Sequence, residues 1–244
     1  MHPFSSEEIL RAWELGFDQH PIDRALKILS LAMPEEDIDK LARLTIGQRD
    51  ALLLAQRVIT FGQSMGIYTQ CPKCGARLNM SVRGDDISRA GEKEEKFSGT
   101  LSSGSFRVSF RLPDSLDLAA ALKSADISSA RSSMIERCIT NATMDGLPVD
   151  VGQIPEDMVS QIMDQMAQGD PQADVLLDVQ CPECGETWQI IFDILFFLWR
   201  EICAEAKRIL IDVHTLARAY GWSERDILAM SPLRRQSYLE MVWS

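Results

Sequence analysis

Two copies of one short motif carry four of the six cysteines in this sequence of 244 residues. The motif Gln70-Cys-Pro-Lys-Cys-Gly75 recurs as Gln180-Cys-Pro-Glu-Cys-Gly185. In each copy the proline favours a tight turn, and the glycine allows the positive φ that directs backbone amides towards thiolate sulfurs. Such a turn is a zinc knuckle, and two knuckles supply the four thiolates that suit one tetrahedral, structural Zn²⁺. The sequence therefore predicts one zinc ion per chain, bound by Cys71, Cys74, Cys181 and Cys184.

The two motifs are far apart in the chain. There are 106 residues between Cys74 and Cys181, whereas a compact zinc ribbon has about 15–20 residues between its two pairs. We therefore expect residues 83–173 to form an insertion between two metal-binding hairpins. A shared metal would make the closure of this long loop less costly.

Other uses of paired cysteines fit the pattern less well. A thioredoxin-like redox pair opens a helix after a strand, whereas strand-like residues follow Gly75 and Gly185. Disulfides are a second alternative, but a chain with a core of this size does not need them. Catalytic zinc is disfavoured because four thiolates leave no open coordination position. The two remaining cysteines, Cys138 and Cys203, lie in apolar helical surroundings and are expected in the core.

No constellation of catalytic residues is recognisable. A Gly-rich phosphate loop, a nucleophile elbow and a metal-hydrolase motif are all missing from the sequence. His214 stands alone on a predicted helix, where histidine is usually a structural residue. The sequence therefore predicts a protein that is not an enzyme.

The charge of the chain bears on its partners. The 25 Lys and Arg against 36 Asp and Glu give a net charge of −11, spread along the sequence. Such a surface repels phosphate backbones and anionic lipid, so neither nucleic acid nor membrane is an expected partner. The densest apolar run, residues 190–199, is interrupted by Asp193 and is shorter than the roughly 20 residues of a membrane span. A zinc-ribbon nucleic-acid-binding or regulatory factor is the alternative function, although the basic stripe with interleaved aromatics that it needs is missing.

Hydrophobic periodicity predicts an α+β fold that is mainly helical. Residues 1–66 form an N-terminal helical region and residues 194–244 a C-terminal one. Between them, residues 67–193 form a split, zinc-ribbon-like region with a small sheet and a helical insertion.

Within the insertion, residues 83–104 are rich in Gly, Ser and charge, which predicts an exposed loop. Alternation of apolar and polar side chains from Phe106 to Leu112 predicts a strand. Helices are predicted over residues 114–124, 126–139 and 155–168. In the C-terminal region, Ile194–Tyr220 is predicted to be one long amphipathic helix that ends at Gly221.

Several stretches carry a family resemblance. They are residues 170–188, His214-Thr-Leu-Ala-Arg-Ala-Tyr-Gly-Trp-Ser223, residues 226–229, Ser231-Pro-Leu-Arg-Arg-Gln-Ser-Tyr-Leu-Glu240, and further upstream 24–26, 47–54 and 111–118. Together they resemble the T-even-type phage baseplate family, described as baseplate hub assembly chaperones of contractile phages and related injection systems. The resemblance covers most of the chain and is most specific over residues 170–240.

The resemblance implies a non-enzymatic structural or assembly protein of a contractile tail. Its partners would be baseplate or hub proteins, and it would act in the bacterial cytoplasm during assembly, with retention in the tail particle left open. Aromatic anchors dominate many interfaces, and arginine adds charge-assisted hydrogen bonds to acidic groups. The candidate contact residues are therefore Phe196, Phe197, Trp199, Tyr220, Trp222, Arg234 and Arg235.

Overall fold

The computed structural model describes residues 1–88 and 98–243. These residues form an α+β fold that is more than half helical. The helices are α1 (Ser6–Gly16), α2 (Pro21–Ala32), α3 (Ile38–Ala42), α4 (Ile46–Phe61), α5 (Gly84–Ile87), α6 (Ser115–Ala121), α7 (Ile127–Cys138), α8 (Glu156–Gly169), α9 (Ile194–Tyr220), α10 (Glu224–Leu228) and α11 (Pro232–Trp243). The strands are β1 (Ser64–Gln70), β2 (Arg77–Arg83), β3 (Ser98–Ser103), β4 (Phe106–Arg111), β5 (Ile139–Met144), β6 (Leu147–Pro148), β7 (Leu176–Gln180) and β8 (Thr187–Ile191).

The long helix α9 is the centre of the molecule. Its side chains Leu198, Ile202 and Ile209 are fully buried in the main core, to which α1, α2 and α4 also contribute. The carboxylate of Asp193 caps its first turn, and Gly221 ends it in the left-handed conformation, as predicted. Among the described residues, no helix combines the length and the apolar character needed to cross a membrane.

Each cysteine motif forms the turn of a hairpin. Strands β1 and β2 pair antiparallel, as do β7 and β8, and each pair is a separate two-stranded sheet. The prediction of a single small sheet is therefore wrong. Both hairpins pack on the main core, β1 through Met65 and Ile67 and the second hairpin through Leu177 and Phe192.

The insertion differs from the helical prediction because it contains a four-stranded antiparallel sheet in the order β3-β4-β5-β6. Val108 and Phe110 of β4 pack with Met158 and Ile162 of α8 in a core of their own. The exposed loop predicted for residues 83–104 is also corrected, since α5 and β3 lie at its two ends. The rest of that predicted loop, residues 89–97, lies outside the described residues.

A buried carboxylate joins the elements of the insertion. Asp117 on α6 is fully buried and accepts hydrogen bonds of 2.6 and 3.0 Å from Arg111 on β4. Arg137 on α7 donates a third at 2.9 Å, and the Asp114 amide a fourth at 3.0 Å. Although burial disfavours the charged form, these donors lower the pKa of Asp117 below its ordinary value. Ionised Asp117 therefore stabilises the insertion.

The substitution Asp117→Asn should destabilise the protein by about 2–3 kcal/mol at neutral pH, because it removes charge-assisted hydrogen bonds. A lowered folded-state pKa gives stability that is complete above the unfolded value of about 3.9 and is lost as the pH falls through the folded value. Urea unfolding from pH 7 to pH 3 should therefore show a shallower loss of stability below about pH 4 in the variant than in the wild type. Parallel curves over this range would contradict the assignment.

Candidate metal centre and partner surface

The two cysteine motifs adopt the same local structure. In the first, the Cys71 amide donates to the Ala76 carbonyl at 2.9 Å, and the Gly75 amide donates to the Cys71 carbonyl at 3.0 Å. The second repeats these bonds, at 2.8 Å from Cys181 to Glu186 and at 2.9 Å from Gly185 to Cys181. The φ angles of Gly75 and Gly185 are +76° and +72°, a conformation that favours glycine. The shared motif thus produces two knuckles with the same hydrogen bonds and the same glycine conformation.

The fold brings both knuckles together, so that their four sulfurs form one cluster. The Sγ atoms of Cys71 and Cys184 are 3.7 Å apart, those of Cys74 and Cys181 are 3.6 Å apart, and all four lie within 4.8 Å of one another. A disulfide has an S–S distance of about 2.05 Å, so the sulfurs are not bonded. A tetrahedral ion with metal–sulfur bonds of about 2.3 Å places its sulfurs about 3.8 Å apart. The cluster is therefore a possible metal site.

The four thiols of the cluster are close enough to change one another's pKa values. Burial opposes ionisation of Cys71, but the amides of Cys74 and Lys73 and the neighbouring thiols lower its pKa to about 7. The Glu186 amide favours the thiolate of Cys184, yet burial and the other three thiols raise the pKa of Cys184 to about 12. Ionisation of Cys71 is thus favoured, whereas ionisation of Cys184 is disfavoured. A divalent cation removes this conflict, because coordinated thiols are deprotonated.

A salt bridge connects the two knuckles outside the sulfur cluster. The Lys73 ammonium lies 3.0 Å from the Glu186 carboxylate, and both side chains are exposed to solvent. Cys71 and Cys181 are buried, whereas Cys74 and Cys184 lie nearer to solvent. With four sulfurs and a closed arrangement, the site suits a structural role.

The two cysteines outside the cluster differ in burial. Cys138 is fully buried in the insertion, where desolvation raises the pKa of its thiol to about 12, so the core placement is confirmed. Cys203 on α9 is only half-buried.

Of the candidate contact residues on the first turns of α9, only Phe196 is largely exposed, at 61%. Phe197 packs against the main core and lies near the Phe192 ring. Trp199 is covered by Arg24, whose guanidinium carbon is 4.1 Å from the ring centroid. The structure therefore uses Phe197 and Trp199 mainly for packing.

The C-terminal candidates form an aromatic cluster. Tyr220 and Trp222 stack at 4.5 Å between ring centroids, and Tyr238 meets Trp222 edge-on at 4.8 Å. Arg234 is exposed and lies over the Tyr238 ring at 5.7 Å. Arg235 is 1% exposed; its Nη2 donates to the Ser6 hydroxyl at 2.9 Å and its Nε lies 3.4 Å from the Asp212 carboxylate. Arg235 therefore joins α11 to α1 and α9 rather than facing solvent.

An ion pair that motif analysis missed fixes the first hairpin to α9. Arg57 of α4 is 2% exposed and donates to both oxygens of Glu201, at 2.8 and 2.7 Å. The same guanidinium donates to the carbonyls of Gly62 and Ser64, where α4 passes into β1. These partners are 144 residues apart in the chain, so no local pattern could have revealed the pair.

A groove of about 480 Å³ lies between the two hairpins and the start of α9. Its exposed apolar side chains are Tyr68 and Ile191, each 74% exposed, and Phe196. Of these three side chains, only Phe196 was predicted from the sequence as a contact residue. Alternation in β1, where Met65 and Ile67 face the core, could have placed Tyr68 on the opposite face.

Comparison with known proteins gives one family. A sequence model of the family described as "T4 bacteriophage base plate protein" matches residues 9–199, which is more than half of the chain. The chain belongs to this base plate family. The match includes both knuckles, the insertion and the start of α9, whereas the stretches that carry the resemblance extend on to residue 240. No curated protein and no solved structure matches the chain. Membership of the base plate family thus indicates a structural role in a phage baseplate and an association with the tail particle.

Proposed function

We propose that this base plate family member is a non-enzymatic assembly protein of the baseplate or hub of a contractile tail. The family match over residues 9–199 carries the proposal. In this role the chain acts in the bacterial cytoplasm during assembly and binds other baseplate or hub proteins. A phage tail and a related contractile injection system are both settings for such a role.

Zinc is the ion that we propose for the four-cysteine cluster. Support comes from the sulfur–sulfur distances of 3.6 and 3.7 Å and from the all-thiolate donor set, which favours Zn²⁺ over harder cations such as Mg²⁺. The ion would hold the two hairpins together and leave no position open for catalysis.

The proposed contact residues are those that solvent can reach. Phe196, Tyr220 and Arg234 are exposed, and Trp222 is half-buried beside Tyr220. Phe197 and Trp199 pack against the main core, and Arg235 is left out because it is buried. Exposed aromatic side chains beside an arginine are typical of residues that dominate protein interfaces.

Deletion of the gene should leave the other tail proteins expressed but yield particles that lack a baseplate, or no particles. Electron microscopy and mass spectrometry of purified particles provide the measurement. Complementation with the wild-type gene should restore infectious particles. A double variant that carries both Phe196→Ala and Arg234→Ala should restore at least about tenfold fewer infectious particles. A matched control is Ile127→Ala, which removes an 88% exposed side chain outside this surface. Normal, contractile particles from the deletion strain would overturn the proposed function.

A further inference from the structure

The groove between the hairpins is bounded by two strand edges that pair with no other strand among the described residues. Residues 66–69 of β1 form one wall, and residues 190–191 at the end of β8, with Phe192, form the other. No residue of β2 or β7 lines the groove. The groove therefore lies on the side of each hairpin that faces away from its partner strand.

The ladder shows which backbone groups face the groove. The Cys71 amide donates to the Ala76 carbonyl directly opposite, and in an antiparallel ladder such hydrogen-bonded pairs recur at every second residue. The backbone groups of Thr69, Ile67 and Met65 therefore also bond to β2. The backbone groups of the residues between them point outwards. Gly66 and Tyr68 thus direct their N–H and C=O groups to the open side. By the same rule, the hydrogen bond from the Phe192 amide to the Val175 carbonyl shows that the backbone N–H and C=O of Ile191 in β8 point outwards.

Neither of these edges carries the features that usually prevent strand pairing. The sequences Ser-Met-Gly-Ile-Tyr-Thr-Gln of β1 and Thr-Trp-Gln-Ile-Ile of β8 contain no charged residue and no proline. Their partner strands do carry charges, namely Arg77 and Arg83 in β2 and Asp178 in β7. Natural proteins protect exposed edges with charge, proline or bulges. Of the four strands in the two hairpins, the two without charge or proline are therefore the two whose edges face the groove.

Space and charge in the groove also suit a further strand. A Cβ built on Gly66 would meet only the Tyr68 ring, at 3.9 Å, so another backbone can approach β1 closely there. Tyr68, Ile191 and Phe196 supply apolar contacts. Of the charged groups in the groove, Asp193 caps α9 and Glu201 binds Arg57. Arg200 has no carboxylate partner among the described residues and lies 5.7 Å from the Phe196 ring centroid.

We propose that the groove binds an extended, alternating apolar segment of a baseplate protein, which pairs with the edge of β1 and places a carboxylate on Arg200. Main-chain pairing gives such an interaction its affinity, and the side-chain positions give it specificity. This inference rests on the proposed function, since it names the mode by which the chain holds its partner. Arg200 favours an acidic segment because no carboxylate in the described part of the chain pairs with it.

The test begins with the baseplate protein that co-purifies with the full-length chain. Overlapping 12-residue peptides that tile that protein are measured for binding by fluorescence anisotropy. A peptide with alternating apolar residues and an Asp or Glu should bind the wild type. Ile191→Lys, which places a charge at the groove wall, should weaken that binding at least about tenfold. Ile127→Lys makes the same change at an 88% exposed site outside the groove and should have no effect.

A second pair of variants tests the backbone contact. Tyr68→Pro removes the outward N–H while leaving the bonds from β1 to β2 intact, since proline is tolerated at such edge positions. It should weaken peptide binding more than Tyr68→Thr, which removes the ring but keeps the N–H. Circular dichroism shows whether both variants remain folded, and hydrogen exchange of the wild type should show protection of Gly66 and Tyr68 upon peptide binding.

The outcomes separate this inference from the proposed function. If the chain retains a baseplate protein but Ile191→Lys binds it as tightly as the wild type, the groove assignment is wrong and the function stands. Failure to retain any baseplate protein overturns both. If the purified chain forms a dimer that Ile191→Lys disrupts, the groove binds a second copy of the chain and the inference is overturned.

Discussion

Purified protein should contain one zinc ion per chain, and Cys71→Ser or Cys181→Ser should each release it. Structural zinc sites contribute about 10–16 kcal/mol of apparent binding free energy in small domains, and that energy is folding energy. Loss of one thiolate should therefore cost several kcal/mol, which lowers the melting temperature of a chain of this size by on the order of 10 °C or more. Elemental analysis and thermal unfolding measure the two effects.

The double variant distinguishes one shared site from two separate ones. If both cysteines bind the same ion, Cys71→Ser combined with Cys181→Ser should cost little more than either change alone. Strictly additive losses would show that the knuckles act separately. Cys203→Ser is the matched control, since this half-buried thiol lies outside the cluster and its replacement should leave the zinc content unchanged. Fully reduced, freshly prepared protein without zinc would contradict the metal assignment.

Glu201→Gln should cost about 3–5 kcal/mol in the free energy of unfolding. The reason is that Arg57, which is 2% exposed, would keep its charge in the core without a counter-ion. Chemical denaturation measures the loss. Hydrogen exchange should increase in β1 first, because Arg57 also binds the carbonyls of Gly62 and Ser64 at the start of that strand.

The same helix provides a control for this substitution. Glu205 has nearly the same side-chain exposure as Glu201, 25% against 26%, but it pairs with Arg208, which is 51% exposed. Glu205→Gln should therefore cost less than about 1 kcal/mol. Equal losses from the two substitutions would show that burial of the arginine does not determine the stability of the pair.

Elements with strong local signals were predictable from the sequence. The bounds of α9 agree with the prediction because apolar residues recur at helical spacing up to Gly221, which adopts a φ of +69°. Strand β4 was predicted from its alternation. The sheet around it was not, because β3 reads Ser-Gly-Thr-Leu-Ser-Ser and has little apolar alternation. A glycine is needed at position 99 of β3 because of packing against β4, where a Cβ on residue 99 would lie 2.2 Å from the Phe110 ring.

Strand β5 was missed for a different reason. It begins at Ile139, directly after α7 ends at Cys138, without a Gly or Pro to mark the change. Its strand conformation depends on pairing with β4, which is distant in sequence. The cysteine cluster, in contrast, was predictable, because thiol spacing alone reveals ligand pairs even when the chain between them is long. The groove was not, because it arises from the relative placement of two hairpins and α9.

The distance in sequence between the knuckles has a consequence for protein synthesis. Cys184 is added 110 residues after Cys74, which takes roughly 5–20 s at translation rates of about 5–20 residues per second. During that interval the nascent chain carries a first knuckle with only two thiols, while the residues of the insertion are added. A chain released early, before Cys184, cannot complete the cluster. Formation of the sulfur cluster therefore requires synthesis to continue at least to Cys184, past the whole insertion.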